Sequence, residues 1–410
     1  MADQANTNSD GKIVCQIDGA RVHTIQAHLR DNHPDWSIER YQKEFPDAPI
    51  LSDKAKAAIL QRLQAKAQAQ SGDNIVTSGK KNYLHDIFEF GDARAARSSI
   101  GNPIEIAVIE DKSEQALPYI QAVDHDYVFN IDLVKKIIIG LEINKPVYLW
   151  GFHGTGKTTA LEQVCARTGR PFVRVQHTIN TEEAHILGQY SVRTKLSEEE
   201  VLGENGQRET LQKPHTVTEF QLGPLPMAMM NGWVYCADEY DFAMPSVTAV
   251  YQPVLEGKPL VIKDAPPELR VIKPHPNFRF VATGNTNGVG DETGLYQGTL
   301  IQNAANYSRF PIVEEVEYMD AAVEESILVS KTGVDKSTAA KIVKFAKNVR
   351  DSFKDSRISM TISPRELINA ADLGMYFGGD WKEGLKLSFS NRLSRIDKQA
   401  VEEYAQRVFG

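Results

Sequence analysis

Cysteine is scarce in this chain: Cys15, Cys165 and Cys236 are the only three in 410 residues, odd in number and far apart. That usage excludes a disulfide framework and fits a reducing compartment. Positive charge is also short, with 46 Lys and Arg against 54 Asp and Glu and a formal net charge of −8. A generic nucleic-acid binder carries a basic footprint, so nucleic acid is not the expected partner, although a local basic groove is not excluded. Long hydrophobic runs are missing as well. Ile137-Ile138-Ile139 and residues 146–150 are among the longest, far below the roughly 20 apolar residues of a spanning helix. Residues 1–10 are polar and acidic and do not read as a signal peptide, so the expected location is the cytoplasm, away from membranes.

The rest of the composition is that of a globular protein, and 410 residues exceed what one hydrophobic core serves. Residues 1–50 read as a compact unit rich in His and aromatics, with a polar start over residues 1–11. Residues 51–115 read as a helix and a linker. The helix covers 51–70, starts at Ser52 or Asp53 and ends at Ser71-Gly72-Asp73-Asn74. Residues 116–318 carry short apolar runs at 147–150, 172–175, 233–237 and 278–282, separated by helical or loop segments. Such alternation predicts a mainly parallel sheet with helices on both faces. Residues 319–410 have no strand pattern and read as amphipathic helices over 321–330, 336–353, 364–376, 381–394 and 398–409.

Gly151-Phe152-His153-Gly154-Thr155-Gly156-Lys157-Thr158, followed by Thr159, fits the phosphate-binding pattern G-x-x-x-x-G-K-[ST] in full. It stands between an apolar run and a helical pattern carrying Leu161 and Val164, the setting that pattern requires. Glycines let the backbone fold so that N–H groups meet phosphate oxygens, and the helix N-terminus adds its dipole. Lys157 then neutralises the β- and γ-phosphates of ATP, and Thr158 ligates Mg²⁺. The run Trp233-Val234-Tyr235-Cys236-Ala237 ends in Asp238-Glu239. Beside a phosphate loop, the first acid is expected to hold Mg²⁺ and the second to polarise the attacking water. Asn285, at the end of the run that starts at Phe278, is placed to orient that water. Cys165 and Cys236 read as small buried hydrophobes.

From about residue 118 onward the chain resembles the ATPase (small) subunit family of aerobic cobaltochelatase, in the MoxR-like branch of AAA+ proteins. Asp126-Tyr127-Val128-Phe129, the phosphate loop, Asp238-Glu239-Tyr240-Asp241 and the stretch from Ile272 to Arg279 carry the likeness. The most family-specific run is Gly290-Asp291-Glu292-Thr293-Gly294-Leu295-Tyr296-Gln297-Gly298-Thr299. The resemblance implies an AAA+ core with a C-terminal helical lid, working as a homo-oligomeric ring, a hexamer, beside a chelatase-type subunit and an integrin-like adaptor. It implies that Arg309 is an arginine finger reaching a neighbouring subunit's γ-phosphate, and that Arg365 is a second sensor on the lid. Counting the phosphate-loop strand as the first and the acid-ended strand as the second, the family carries a hairpin insert between them, here residues 188–222. Residues 256–276 fill a second insert, and such inserts face the partner or substrate. The charged stretch 195–213 is longer than the family pattern. The first 115 residues differ from the family's short leader, apart from His85-Asp86-Ile87-Phe88.

Cys15, Asp18, His28 and His33 have metal-ligand spacing, and with Ile25, Leu29, Trp36 and Tyr41 they resemble a Ros/MucR-type zinc finger. Asp18 stands where a second Cys is usual, and Zn²⁺ accepts a carboxylate oxygen beside Cys sulfur and His nitrogen. The alternative is a finger held by packing alone. Residues 1–50 hold five basic and eight acidic residues, too little positive surface for phosphate contacts, so protein docking is the expected role. The leading expectation is an ATP hydrolase that remodels a partner, with cobalt insertion into a corrin ring as the family precedent. A remodelling ATPase with another target, including a phage-encoded one, stays open. So does a zinc-finger nucleic-acid regulator using ATP as a switch.

Overall fold

The structure is a computed structural model that describes residues 11–46, 48–55, 82–91, 94–98, 101–111, 113–202, 208–291 and 294–410. Residues 1–10, most of the expected 51–70 helix, its Ser71-Gly72-Asp73-Asn74 stop and Glu292-Thr293 lie outside the described residues. In the N-terminal unit, β1 (Ile13–Val14) pairs antiparallel with β2 (Arg21–Val22), and helices Ile25–Asn32 and Ile38–Glu44 follow. Ile13, Cys15, Ile25, Leu29 and Tyr41 are fully buried together, so a small apolar core organises this unit.

The weakly patterned segment expected to be linker is different from residue 82 onward. Strands β3 (Asn82–Tyr83) and β4 (Glu105–Ile106) pair antiparallel around helix Leu84–Ile87. Leu84, Phe88 and Ile106 are buried in the same core as Val134, Ile137, Leu161 and Val164. Two-residue strands and irregularly spaced apolar residues leave no periodic signal, and only the tertiary partner gives them a role.

The central sheet contains β5 (Val147–Trp150), β6 (Phe172–Gln176), β9 (Val234–Asp238), β12 (Arg279–Gly284) and β13 (Ile312–Glu315). The two hairpins set between them are β7 (Gly188–Leu202) with β8 (Arg208–Leu222), and β10 (Leu260–Val261) with β11 (Val271–Ile272). All five sheet strands are parallel, in the order β13-β5-β12-β9-β6. Both faces are covered, which is the condition under which a parallel sheet reads as continuous apolar runs. On one face Tyr148, Tyr235, Tyr240, Tyr251, Phe280 and Phe310 form an aromatic core. On the other, aliphatic side chains of helices Ile131–Glu142 and Lys157–Arg167 meet Val147, Leu149, Cys236 and Val281. The three cysteines are unpaired and buried, and burial pushes the Cys165 thiol up to about 12.

One strand goes beyond the sequence expectation. Strand β13 was not expected: its four residues alternate between half-buried and exposed at the sheet edge, too short a pattern to stand out. The 188–222 hairpin lies between the phosphate-loop strand β5 and the acid-ended strand β9, as expected, and follows the further sheet strand Phe172–Gln176. No helix of the described residues is long and apolar enough to cross a membrane.

Helices Ala321–Thr332, Lys336–Lys354, Pro364–Tyr376, Trp381–Ser388 and Arg395–Phe409 build a second core around Phe345, Leu367, Leu385 and Phe389. The expected 381–394 helix stops at Ser388, because Ser394 starts the next helix by accepting a hydrogen bond from the Asp397 N–H. Inside this bundle Arg350 clamps the buried Glu324 with two hydrogen bonds of 2.8 and 2.9 Å, and its Nε donates to the Ile362 carbonyl at 3.0 Å. Glu324→Ala leaves that guanidinium without its carboxylate. The expected loss is about 3 kcal/mol, read as a lower urea midpoint of the lid transition.

Candidate functional site

The phosphate loop, Asp238, Glu239 and Asn285 lie where the parallel strands end, the edge at which open α/β sheets bind ligands. After β5 the chain turns through Gly151 and Gly154, at φ +138° and +72°. A side chain at Gly151 would collide with the Val316 carbonyl, and one at Gly154 with Ser363. Glycine is therefore required by close approach as well as by backbone angle. Lys157 opens the helix Lys157–Arg167 and is buried. Its Nζ donates to the carbonyls of Gly151 and Phe152 at 2.8 and 2.9 Å and to Asn285 Oδ1 at 3.3 Å. Burial pulls its ammonium down to about 8, opposed by the carboxylates of Asp241, Asp238 and Glu239. An anionic phosphate here would restore the charged form.

Asp238 is buried at the end of β9, and Thr158 Oγ1 donates to its Oδ1 at 2.7 Å. Thr283 donates to the same oxygen. A hydroxyl and a carboxylate in contact at a phosphate loop are hard oxygen donors that suit Mg²⁺. Glu239 follows in the left-handed region at φ 52°, where few side-chain-bearing residues sit. Its Oε2 accepts a hydrogen bond from Gln176 Nε2 at 3.1 Å. Asn285 is steered by Asp241, whose Oδ2 accepts the N–H groups of Asn285 and Thr286 at 2.9 and 2.8 Å and the Thr286 hydroxyl at 2.8 Å. Burial raises the Asp241 carboxyl, and its Oδ1 has no hydrogen-bond partner among the described residues.

Beside the loop, a cleft of about 500 Å³ opens between Tyr127, Phe129, Asn130 and the segment from Glu314 to Asp320, with Thr155 on its wall. Its size and mixed lining suit the nucleoside part of a nucleotide. The helical lid meets the loop at its variable positions. Phe152 stacks on Tyr318 and stands edge-on to Phe353, and His153 Nε2 lies 3.9 Å from Glu366. The His153 N–H also donates to the Tyr296 hydroxyl at 2.9 Å, so the family-specific run reaches the phosphate loop. Arg365 is exposed on the first turn of helix Pro364–Tyr376, directly after the Ser363 that packs on Gly154.

Lys157, Thr158, Asp238, Glu239 and Asn285 are thus brought together, with Arg365 at the margin. Arg309 is elsewhere. It ion-pairs with Glu256 at 2.6 Å in a cleft of about 520 Å³ with Lys145, Pro146, Pro276 and Pro311. Those residues precede β5, β12 and β13, so Arg309 lies at the opposite end of the sheet from its own chain's phosphate loop. Sequence reading missed Arg174, Gln176, Asp241, Thr283 and Tyr296. A polar residue at the carboxyl end of a strand was the available signal for Arg174 and Gln176.

The four candidate metal ligands of the N-terminal unit also converge. Their ligand atoms lie within 4.8 Å of one another, and both His28 Nε2 and His33 Nε2 meet Asp18 Oδ2, at 2.8 and 2.9 Å. The Ala20 N–H and the two imidazoles hold the Asp18 carboxyl far below its usual range. One thiol, two imidazoles and an ionised carboxylate fit a tetrahedral Zn²⁺ site by donor type.

A P-loop core of five parallel strands with a helical lid is the architecture of an AAA+ ATPase. Residues 146–300 match the AAA domain (dynein-related subfamily), and residues 324–407 match the CbbQ/NirQ/NorQ C-terminal family. Over 298 residues the chain is 35% identical to the aerobic cobaltochelatase subunit CobS of a Sinorhizobium species, covering 71% of this chain and 83% of that one. The chain belongs to the CobS-like family of AAA+ ATPases, and it binds ATP with Mg²⁺ and hydrolyses it. An uncharacterized protein of Staphylococcus haemolyticus is 28% identical over 233 residues, covering 56% of this chain and 78% of the other. Among solved structures, the RuvB Holliday junction branch migration motor of Thermotoga maritima overlays with a TM-score of 0.37 at 13% identity, covering 70% of this chain and 73% of that one.

Asp241→Ala removes three hydrogen bonds to a carboxylate and frees the Asn285 backbone. The expected outcome is a loss of about 3 kcal/mol in thermal unfolding. Turnover should fall more than ATP affinity, which steady-state kinetics beside equilibrium binding will resolve.

Proposed function

We propose that this chain is the ATPase of a chelatase-type machine, and that it turns over ATP only as a homo-oligomeric ring, a hexamer by family precedent. The observation that carries this reading is the position of Arg309 at the end of the sheet remote from its own phosphate loop. A residue so placed serves a nucleotide held by the next subunit, as an arginine finger does. Within one subunit, Lys157 counters the phosphate charge while Thr158 and Asp238 hold Mg²⁺, which when bound neutralises charge on the transferring phosphate. Glu239 polarises the attacking water, Asn285 orients it, and Arg365 reports the nucleotide to the lid. The likeness to CobS supports ATP-driven cobalt insertion into a corrin ring, in the cytoplasm, beside a chelatase-type subunit and an integrin-like adaptor. The hairpins β7–β8 and β10–β11 are the surfaces offered to those partners. A different remodelling target is supported by the length of β7 and β8, 15 residues each.

Three variants test the assignment. Lys157→Ala should lose ATP binding. Glu239→Gln should bind ATP and hydrolyse it at least about a hundredfold more slowly, as loss of a positioned base does. Arg309→Ala should bind ATP near-normally and lose about a thousandfold in turnover. Mixing Lys157→Ala with Arg309→Ala protein should restore part of the activity, since each supplies across an interface what the other lacks. A monomer in sedimentation whose turnover per chain is independent of concentration contradicts the ring.

The convergence of Cys15, Asp18, His28 and His33 supports a second reading, that the N-terminal unit holds one Zn²⁺ and docks a protein partner. Metal analysis of the full chain should find about one zinc, lost in Cys15→Ser, because a closed four-ligand site depends on each donor. Asp18→Cys should tighten binding by supplying a softer ligand. Zinc-free protein whose N-terminal unit is indifferent to a chelator is the contrary result.

A further inference from the structure

The nucleotide site contains a cation that phosphate chemistry leaves unused. Arg174 lies on β6 at the edge of the sheet, beside β9, two residues before the Gln176 that pairs with Asp238 in register. Its Nε and one terminal nitrogen both reach Asp238 Oδ2, at 2.7 and 2.6 Å. Its other terminal nitrogen donates to Glu162 Oε1 at 3.4 Å. The guanidinium is therefore held between two carboxylates. One is buried at the end of β9; the other stands one helical turn beyond Thr158.

Asp238 needs such a partner. A buried carboxylate left without a counter-charge is strongly destabilising. Lys157, the other cation of the site, is turned to the Gly151 and Phe152 carbonyls and to Asn285. Among the described residues, Arg174 is the cation in ion-pair contact with Asp238. A magnesium ion held between Thr158 and Asp238 would bring two positive charges toward a carboxylate that already has one. The two cations, one beside each oxygen of the same carboxylate, repel. Glu162 offers Arg174 a second seat on its far side without a new rotamer for Asp238.

We infer that Arg174 is an exchangeable counter-cation of Asp238. It holds that carboxylate oriented before magnesium arrives, yields toward Glu162 when Mg²⁺ and nucleotide bind, and so sets the magnesium concentration the site requires. Arg174 acts through Asp238 and is a positioning residue. The inference rests on the reading of Thr158 and Asp238 as the magnesium pair.

The experiment is a Mg²⁺ titration of fluorescent-ADP binding to the full chain at fixed nucleotide, with the half-saturating Mg²⁺ as readout. Arg174→Met should lower that concentration about fivefold or more, the size of an ordinary coupling between sites. Arg174→Lys, which keeps the charge, should return it toward wild type. Glu162→Gln should raise it in the wild-type background and leave it unchanged beside Arg174→Met, because the effect passes through the guanidinium. An unchanged or raised requirement in Arg174→Met overturns the inference, and so does an equal effect of Glu162→Gln in both backgrounds. Should Arg174→Met fail to fold, an unchanged requirement in Glu162→Gln alone overturns it. Asp238→Asn separates the two readings. If it leaves the magnesium dependence untouched, the magnesium pair itself is misassigned; if it abolishes that dependence while Arg174→Met changes nothing, only the role of Arg174 fails.

Discussion

A buried carboxylate at the carboxyl end of a central strand must be compensated on every side, and the nucleotide site is arranged around that need. Asp238 takes hydroxyl hydrogens from Thr158 and Thr283 on one oxygen and the Arg174 guanidinium on the other. Those donors come from a helix N-terminus and from both neighbouring strands, β12 and β6. Only a parallel sheet with β9 between them delivers all three to one point. Asp241 repeats the device three residues on, spending one oxygen on the backbone of Asn285 and Thr286. The Asn285 backbone is thus held by a buried carboxylate, and Glu239 by the Gln176 amide and the Thr283 hydroxyl.

Strand polarity divides the molecule into two working ends. At the carboxyl end lie the phosphate loop, its lysine and the acids, with the lid resting on the loop's variable residues. Phe152 packs on Tyr318, and Tyr318 lies 3.9 Å beneath the Arg350 guanidinium that clamps Glu324 inside the lid core. A change in the loop therefore has a packed route into the helical bundle. At the amino end Arg309 is parked on Glu256, beside a cleft with no part of the chain's own nucleotide site. In the proposed ring, one subunit would carry half of two sites.

The N-terminal unit follows a different physics. Its core is five buried side chains, small for a unit of this length, and a metal would supply cross-links that packing does not. Cys15 belongs to that core and to the candidate ligand cluster at once, so a bound metal would be tied directly to the fold of the unit.

Much of the motor was legible in the sequence because its signals are local. A glycine-rich turn between a strand and a helix, two acids at the end of an apolar run, and helical periodicity past residue 320 each depend on residues a few positions apart. The ligand spacing of Cys15, Asp18, His28 and His33 is local in the same sense. What tertiary structure alone decided is long-range. Arg174 and Asp238 are 64 residues apart and meet only because β6 and β9 are neighbours in register. Asp241 and Asn285 meet only because β12 lies beside β9. Leu84, Phe88 and Ile106 become core only where the helix Ile131–Glu142 offers them a face. The end of the sheet at which Arg309 stands follows from strand direction, which a run of apolar residues does not record. Sequence spacing encodes turns and periods, whereas the order and register of parallel strands arise from packing across the whole sheet.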